Sequence, residues 1–343
     1  MDTYNRSKPK NIIENEYRID LKCEELLQSL PSFVYEYYKY LSVQGKSRKT
    51  KLAYIFDLMH FFDYLSCEVT LDVINTLTAK DINDYLTYCT QYENDGVVYQ
   101  NSKVSRARKK SSISGLLNFL YRNDLIENDI TSKIAPISIK SSERIVKCLQ
   151  EPEIFDLMEV LETGEGLSSR QQKSWQKTKY RDKLMIILLV VYGLRISELQ
   201  QLNVSSFNFK RNEFIIYRKR SKEAVMPINN TLKDAYREYI DKERPNIDND
   251  ALLLSLPTKT GTRERLSERQ IRDIVKKYTS LVIGGNGYSP HKLRATAATT
   301  AIRRGNDIFR VANLLDHDSV TTTQKYLQKN IQDKKDVLDS LEL

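Results

Sequence analysis

Apolar side chains at helical spacing are the feature that most constrains the fold of this chain. Between residues 30 and 135 they recur every three or four positions, as Phe33, Tyr37 and Leu41 do. This spacing places them on one face of an α-helix. We therefore predict a bundle of roughly four or five helices, and its later helices are expected over residues 52–62, 81–89 and 105–121.

The second part of the chain combines helical patterns with one alternating segment. Residues 213–228 alternate between apolar and polar positions and are interrupted by the basic run 218–223, which predicts a β-hairpin. The expected fold class is therefore mainly α, with a small β-hairpin or sheet in an α+β second domain. Its helices are predicted from residue 151, over 182–192, 197–202, 231–239 and 267–278, and from residue 291 onward.

A short polar stretch without helical spacing separates the two parts, which favours a linker. A chain of 343 residues is long enough for two domains of ordinary size. The predicted organisation is an N-terminal arm or helix over residues 1–27, a helical domain over 28–135, the linker over 136–147 and a second domain over 148–343.

The composition of the chain indicates which class of partner it binds and in which compartment it works. The formal net charge of +9 favours a polyanion, and nucleic acid is the first candidate. The four cysteines show no paired metal-ligand spacing, so we expect no metal site and reduced thiols. The most apolar run, residues 184–192, is about half as long as a membrane span, and the first residues lack the apolar core of a signal peptide. We therefore expect a cytoplasmic protein that does not enter a membrane.

Two clusters of basic residues stand where helices of the first domain are predicted to begin. A helix N-terminus binds phosphate through its free amide groups, and neighbouring Lys or Arg side chains add charge. For any one of these residues a solvated helix face is an equal alternative, but two clusters in one small domain favour DNA contact. The candidates are Lys46, Arg48, Lys49 and Lys51 around a Ser47 cap, and Lys103, Arg106, Arg108, Lys109 and Lys110.

Histidine is scarce, since the chain has three, and two of them lie in a C-terminal stretch. His291 is followed by Arg294 three positions later, and His317 precedes Tyr326 by nine positions. Arg195 adds a second guanidinium group from far upstream. Two guanidinium groups, two imidazoles and a phenol are the groups needed to cut a phosphodiester with a tyrosine, and this chemistry requires no metal.

Each of these side chains suits one part of that chemistry. The planar forks of Arg195 and Arg294 can clamp a phosphate whose negative charge grows in the transition state. Tyr326 attacks well only if a neighbouring group removes its proton, which His291 can do, while His317 can donate to a phosphate oxygen. A surface ion pair is the alternative role for each arginine.

The departing 5′-oxygen of a cleaved phosphodiester also needs a proton. Lys219 and Lys222 lie in the basic run between the predicted strands, and either ammonium group can supply it. A polar turn is the ordinary setting of a lysine at such a place. The residues themselves leave the choice between the two lysines open.

Together these segments resemble the motif boxes of the tyrosine site-specific recombinases, the integrase and Xer superfamily. The resemblance covers roughly residues 30 to 340. Within the superfamily, residues 25–38 and 174–182 resemble the single-protein Xer recombinases of streptococci. The boxes themselves are residues 193–199, 291–294 and 314–317, followed by Tyr326.

The resemblance implies a role for each matched residue. Tyr326 forms a 3′-phosphotyrosine and frees a 5′-hydroxyl, while Arg195 and Arg294 bind the scissile phosphate. Alignment of Met226 and Pro227 with the family's hairpin places the catalytic lysine at Lys219 rather than Lys222. The remaining matched residues are His291 and His317, which assist, and Glu198, which buttresses the site.

The resemblance also implies an assembly. A helical core-binding domain and a catalytic domain form a C-shaped clamp around a double-stranded DNA recombination site. Four copies form a synaptic homotetramer, in which a C-terminal helix at about residues 331–341 docks on a neighbouring subunit. The phosphotyrosine keeps the energy of the broken bond, so no ATP, metal or other cofactor is implied. Both chromosome dimer resolution and the integration or excision of a mobile element use these parts.

Two other functions remain open. A type IB topoisomerase-like relaxing enzyme uses much the same residues, and a catalytically silent DNA-binding regulator would keep their pattern. Three positions depart from the usual boxes: Ala295 replaces a second histidine, Asp316 replaces a glycine, and Asp318 follows His317. Two carboxylates beside His317 favour its protonated form if they point at it.

Overall fold

The computed structural model describes residues 9–94, 96–138, 147–218 and 222–316. The chain forms two compact units, an N-terminal unit over Met1–Ser142 and a C-terminal unit over Glu143–Leu343. Residues 139–146, which include most of the predicted linker, lie outside the described ranges. Each unit has its own apolar core.

The described part of the N-terminal unit is a helical bundle with one small hairpin, and the predicted bundle is confirmed. The first helix falls where the sequence predicts an arm or a helix. The elements are α1 (Lys10–Leu27), α2 (Ser32–Val43), α3 (Arg48–Leu65), α4 (Leu71–Thr76), α5 (Ala79–Tyr88), β1 (Gln91–Asn94), β2 (Val97–Gln100) and α6 (Lys103–Arg122), followed by a 3₁₀ turn over Thr131–Lys133.

Side-chain caps fix where these helices begin. The Ser47 hydroxyl accepts a hydrogen bond from the backbone N–H of Thr50 at 3.2 Å, so α3 starts at Arg48. Thr78 and Asp81 form a reciprocal capping box at the start of α5. Ser102 caps α6, which therefore begins two residues before the predicted position.

The antiparallel pair β1 and β2 is an element that the helical pattern did not predict. Its register places Tyr92 opposite Tyr99, with stacked rings whose centroids are 5.3 Å apart. The two strands have four residues each, and Gly96 between them has a φ of 73° that suits glycine. Strands this short give too little alternation to be separated from a helical pattern.

The described part of the C-terminal unit packs helices around a three-stranded antiparallel sheet, as the predicted fold class requires. The sheet order is β3-β4-β5, and the hairpin of β4 and β5 is the predicted one. The elements are α7 (Glu151–Thr163), α8 (Ser169–Trp175), α9 (Lys179–Val190), α10 (Ile196–Gln201), a 3₁₀ turn over Val204–Ser206, β3 (Phe207–Asn208), β4 (Glu213–Tyr217), β5 (Glu223–Pro227), α11 (Asn230–Lys242), α12 (Glu268–Ile283), α13 (Pro290–Arg303) and α14 (Ile308–Leu315).

The helix α9 lies at the centre of this unit. Every residue from Leu184 to Leu189 is at most 2% exposed, so the helix is enclosed on all sides. On the sheet, Phe214 of β4 lies opposite Met226 of β5, and both side chains are buried in the same core. No helix in the described ranges is long and apolar enough to cross a membrane.

A buried carboxylate near the start of α9 ties that helix to α12. Asp182 is completely buried and accepts hydrogen bonds from Arg181 Nη2 at 2.6 Å and from Tyr278 Oη at 2.8 Å. The Thr178 hydroxyl donates to it at 3.2 Å, and Lys277 Nζ lies 3.6 Å away. A buried carboxylate is tolerated when it is paired and hydrogen-bonded in this way.

Asp182→Ala should therefore lower the free energy of unfolding of the C-terminal unit by about 3–5 kcal/mol, because the buried Arg181 loses its carboxylate. Urea unfolding followed by the fluorescence of Trp175, the one tryptophan in the chain, measures this change. The exposed Asp156 on α7 provides a matched control, and its change to Ala should alter stability by less than about 0.5 kcal/mol. Equal effects of the two substitutions would contradict a structural role for Asp182.

Candidate active site

The turn between α9 and α10 carries Arg195. Gly193 in this turn has a φ of 61°, and a Cβ added there would lie 2.5 Å from Leu315 Cδ2 and 3.2 Å from Ala297 Cβ. Glycine is therefore needed both for the backbone conformation and for the close approach of α13 and α14. The turn places Arg195 at the N-terminus of α10, where it is the N-cap residue.

Glu198 fixes the orientation of Arg195. Its carboxylate is 3% exposed and accepts from the backbone N–H of Arg195 at 2.8 Å and from Arg195 Nη1 at 2.7 Å. The same carboxylate lies 4.0 Å from Arg294 Nη1. One buried negative charge therefore lies between Arg195 and Arg294, the two arginines that are predicted to clamp a phosphate.

Arg294 reaches this place from α13. Its side chain is 4% exposed, and its Nη1 donates to the carbonyl of Gly193 at 2.5 Å. Its Nη2 donates to the carbonyl of Leu315. The guanidinium group thus joins the turn before Arg195 to the end of α14.

Three arginines from separate elements bind successive carbonyls at the end of α14. Arg218 Nη2, at the end of β4, donates to the carbonyl of Leu314 at 2.9 Å, and Arg195 Nη2 donates to that of Asp316 at 3.0 Å. With the bond from Arg294 to Leu315, the carbonyls of 314, 315 and 316 are all satisfied by guanidinium groups. The last carbonyls of a helix carry partial negative charge and otherwise lack partners, so cations stabilise this end.

His291 lies one turn before Arg294 on α13. The residue is exposed, but neighbouring protein atoms remove part of the hydration of its imidazole. This desolvation, and then the positive charges of Arg294 and Arg195, lower the pKa of His291 below its ordinary value of 6.5. The imidazole is therefore mostly neutral near neutral pH and able to accept a proton.

Asp316 ends α14 in the left-handed region, with φ 50° and ψ 56°. Its carboxylate faces cations: Oδ1 lies 3.4 Å from Arg218 Nη1 and 3.8 Å from Lys222 Nζ, and Oδ2 lies 4.0 Å from Arg195 Nη1. Sequence reasoning noted Asp316 as a departure from the usual boxes but did not place it or Arg218 in the site. The excess of basic residues in the run 218–223 was the available signal for Arg218.

Of the predicted catalytic residues, the structure describes Arg195, Arg294 and His291 and brings the two arginines together around Glu198. Lys219, His317 and Tyr326 lie outside the described residues, as does the predicted C-terminal helix over 331–341. Within the described ranges, no group of three or more His, Cys, Asp or Glu side chains is arranged to hold a metal ion.

The basic clusters of the N-terminal unit contain both exposed and buried side chains. Lys46, Lys49 and Lys103 are exposed beside the N-termini of α3 and α6. Four members have these partners within the unit: Arg48 pairs with Asp20 and Glu16, Arg106 donates to Thr90, Arg108 pairs with Asp57, and Lys110 donates to the carbonyls of Ile134 and Ala135.

Two members of these clusters are buried in this structure, and their contact with DNA stays a prediction. Lys51 is 8% exposed, and its Nζ donates to the Ser42 hydroxyl at 2.8 Å above the ring of Tyr38. Lys109 is 6% exposed, with its Nζ 3.6 Å from the buried carboxylate of Asp57. Lys51 lies four positions after its helix cap and Lys109 seven, and the turn of each helix directs these side chains towards the core.

Both units of the chain match known protein families. The profile of the phage integrase family matches residues 147–333, and that of the phage integrase N-terminal SAM-like domain matches residues 34–124. Tyrosine recombinase XerC of Caldanaerobacter subterraneus subsp. tengcongensis is 29% identical over 333 residues, which cover 90% of this chain and 86% of that protein. Tyrosine recombinase XerS of Streptococcus uberis is 26% identical over 351 residues, which cover 93% and 98%.

Solved structures share the fold. The XerH site-specific recombinase bound to palindromic difH substrate has a TM-score of 0.65 at 18% identity, with 97% of this chain and 90% of that chain covered. A lambda integrase dimer bound to a COC′ core site has a TM-score of 0.61 at 16% identity, with 87% and 76% covered. The family match extends over most of the C-terminal unit, including the turn of Arg195 and the helix of His291 and Arg294. The chain therefore belongs to the phage integrase family of tyrosine recombinases.

Proposed function

We propose that this chain is a site-specific DNA recombinase that cleaves and rejoins strands through a 3′-phosphotyrosine at Tyr326. The supporting observation is the end of α14, where Arg195, Arg218 and Arg294 hold three successive backbone carbonyls. The next residue in the chain is His317, and Tyr326 follows nine positions later. The arginines thus hold the start of the segment that carries the nucleophile.

The positive charge of the site suits phosphodiester cleavage. Negative charge grows on the non-bridging oxygens in the transition state, and donors fixed in advance stabilise it without reorganising. Arg195 has a side chain that is 33% exposed, whereas Arg294 is buried and held by Gly193 and Leu315. Arg195 and Arg294 together supply the charge that binds the scissile phosphate, and Glu198 keeps Arg195 in place.

Proton transfers complete the reaction. A neutral His291 takes the phenolic proton of Tyr326, and its lowered pKa favours the neutral form that this role needs. His317 donates to a phosphate oxygen, and Lys219 gives a proton to the departing 5′-oxygen. Attack of a second strand's 5′-hydroxyl on the phosphotyrosine reverses these transfers and rejoins the DNA, so the sequence of steps needs no external energy source.

The biological setting belongs to the same proposal. The chain acts in the cytoplasm on a double-stranded recombination site, either in chromosome dimer resolution or in the movement of a mobile element. The resemblance to single-protein Xer recombinases favours the former, and a lambda integrase tetramer bound to a Holliday junction supports assembly as a homotetramer. Residues 28–135 form the core-binding domain, 136–147 the linker and 148–343 the catalytic domain.

Capture of covalent adducts tests the chemistry and finds the target at once. A duplex library with a randomised central segment and a nick lets the short 5′-hydroxyl fragment diffuse away and traps the enzyme on DNA. Adducts should survive denaturation for the wild type and be absent for Tyr326→Phe, while the variant still binds the selected duplex. Without a wild-type adduct, or with one that persists in Tyr326→Phe, the proposal fails.

A sulfur substrate separates the two candidate lysines. Lys219→Ala should slow cleavage by roughly 10²–10⁴-fold, because the 5′-oxygen leaves poorly without a proton. Sulfur at the bridging 5′-position leaves as a thiolate and needs no proton, so it should restore most of the rate. Lys222→Ala is the matched control, and any loss it causes should be the same for oxygen and sulfur. Sulfur rescue of Lys222→Ala instead would exchange the two assignments.

The pH dependence of adduct formation tests the proposed role of His291 as the base. Partial desolvation by neighbouring protein atoms, and then the charges of the two arginines, lower the pKa of His291. Protonation should therefore occur below pH 6.5 and remove the base only on the acid side. Nuclear magnetic resonance titration of the three histidines measures the value, and adduct formation should decline through the same pH range. His291→Gln should abolish this acid limb. A measured pKa for His291 at or above 6.5 would contradict the proposed role.

A further inference from the structure

Three cations from three places in the C-terminal unit surround one carboxylate. Asp316 faces Arg195 from the turn after α9, Arg218 from the end of β4 and Lys222 from the residue before β5, at N···O distances of 3.4–4.0 Å. A charge-assisted hydrogen bond is about 2.7–2.9 Å long. The carboxylate is therefore attracted by all three groups but is not locked to any of them.

Burial of the Arg218 guanidinium group costs free energy, and its long contact with the Asp316 carboxylate offsets only part of that cost. Its side chain is 7% exposed, and its Nε has no hydrogen-bond partner among the residues that the structure describes. Desolvation by burial, and the nearby charge of Arg195, lower the pKa of Arg218, while Glu198 acts in the opposite direction. A buried guanidinium group is stabilised best by a close anion. The site therefore favours an anion that approaches more closely than Asp316 does.

The backbone and the side chain of Asp316 are held independently. The backbone carbonyl accepts from Arg195 Nη2 at 3.0 Å, whereas the side chain is 28% exposed. Rotation of the side chain alone would move the carboxylate out and leave the end of α14 in place. The left-handed backbone at this position suits glycine and is tolerated by Asp, so the carboxylate itself is not needed for the helix end.

We propose that Asp316 is an internal counter-ion, which occupies an anion site formed by Arg195, Arg218 and Lys222 until the scissile phosphate of DNA displaces it. A carboxylate and a phosphodiester both carry a single negative charge and offer two oxygens to a guanidinium fork. The inference rests on the proposed function and adds Arg218 and Lys222 to the residues that bind this phosphate. Asp316 then competes with DNA.

Inorganic phosphate is the first probe, because its binding to the anion site can be measured without any cleavage of DNA. Asp316→Asn keeps the size of the side chain and removes its charge, so phosphate should bind roughly fivefold more tightly than to the wild type. Binding is measured as the phosphate-dependent rise in the thermal unfolding midpoint of the full chain, each variant being referred to its own midpoint without phosphate. Asp273→Asn, an exposed carboxylate on α12, is the matched control for net charge and should not change the affinity.

DNA binding is the second probe, measured in the Tyr326→Phe background with the duplex selected by adduct capture. Asp316→Asn should bind this duplex several-fold more tightly. Arg218→Gln should bind it more weakly, and the slope of log affinity against log salt should fall by about one unit, because one phosphate contact is lost. A merely structural role of Arg218 would leave that slope unchanged.

The double variant Arg218→Gln, Asp316→Asn tests whether the two side chains act on the same anion. The gain from Asp316→Asn should shrink when Arg218 is absent, since Asp316 then has less to neutralise. If Asp316→Asn unfolds, Asp316→Gly, which suits the left-handed backbone, repeats the measurement.

The outcomes separate this inference from the proposed function. If Asp316→Asn binds phosphate and DNA no more tightly than the wild type, or if Arg218→Gln keeps the full salt slope, the counter-ion role is overturned even though Tyr326 forms its adduct. If no adduct forms in the wild type, the proposed function fails, and the phosphate titration still decides the anion site.

Discussion

The C-terminal end of α14 is the point on which the candidate site depends. Its last carbonyls would be left without partners, and three guanidinium groups satisfy them instead, from the residue after β4, from α13 and from the turn before α10. Each of these hydrogen bonds couples the helix end to a different element of the C-terminal unit. The segment that follows, with His317 and Tyr326, is thus tethered at its start to both arginines of the proposed phosphate clamp.

Glu198 makes this arrangement possible by balancing charge. Three guanidinium groups at one helix end repel each other, and a buried carboxylate between Arg195 and Arg294 offsets that repulsion. The carboxylate also receives the backbone N–H of Arg195, so the same side chain fixes both the turn and the charge. Gly193 completes the turn, because a larger residue would collide with Leu315.

Patterns of residues close in sequence predicted most of the elements. Helical spacing predicted the bundle, the Ser47 cap indicated where α3 begins, and alternation predicted the hairpin of β4 and β5. The helix α5 begins at Ala79, two residues before the predicted position. The hairpin of β1 and β2 was not predicted, because its two strands are too short for a pattern of period two to be recognised. The buried positions of Lys51 and Lys109 were also not predicted, since charge in a sequence does not reveal which way a helix turns a side chain.

The sequence by itself determined the fold class and the kinds of side chain available for chemistry, because spacing, capping and rare residues act over a few neighbouring positions. It also identified Arg195, His291 and Arg294 as candidates through their motifs. The tertiary structure alone decided that Arg195 and Arg294 meet at Glu198 and that Arg218 joins them. It also decided that Asp316 faces cations. Those relations connect residues about a hundred positions apart, and packing of whole elements brings them together.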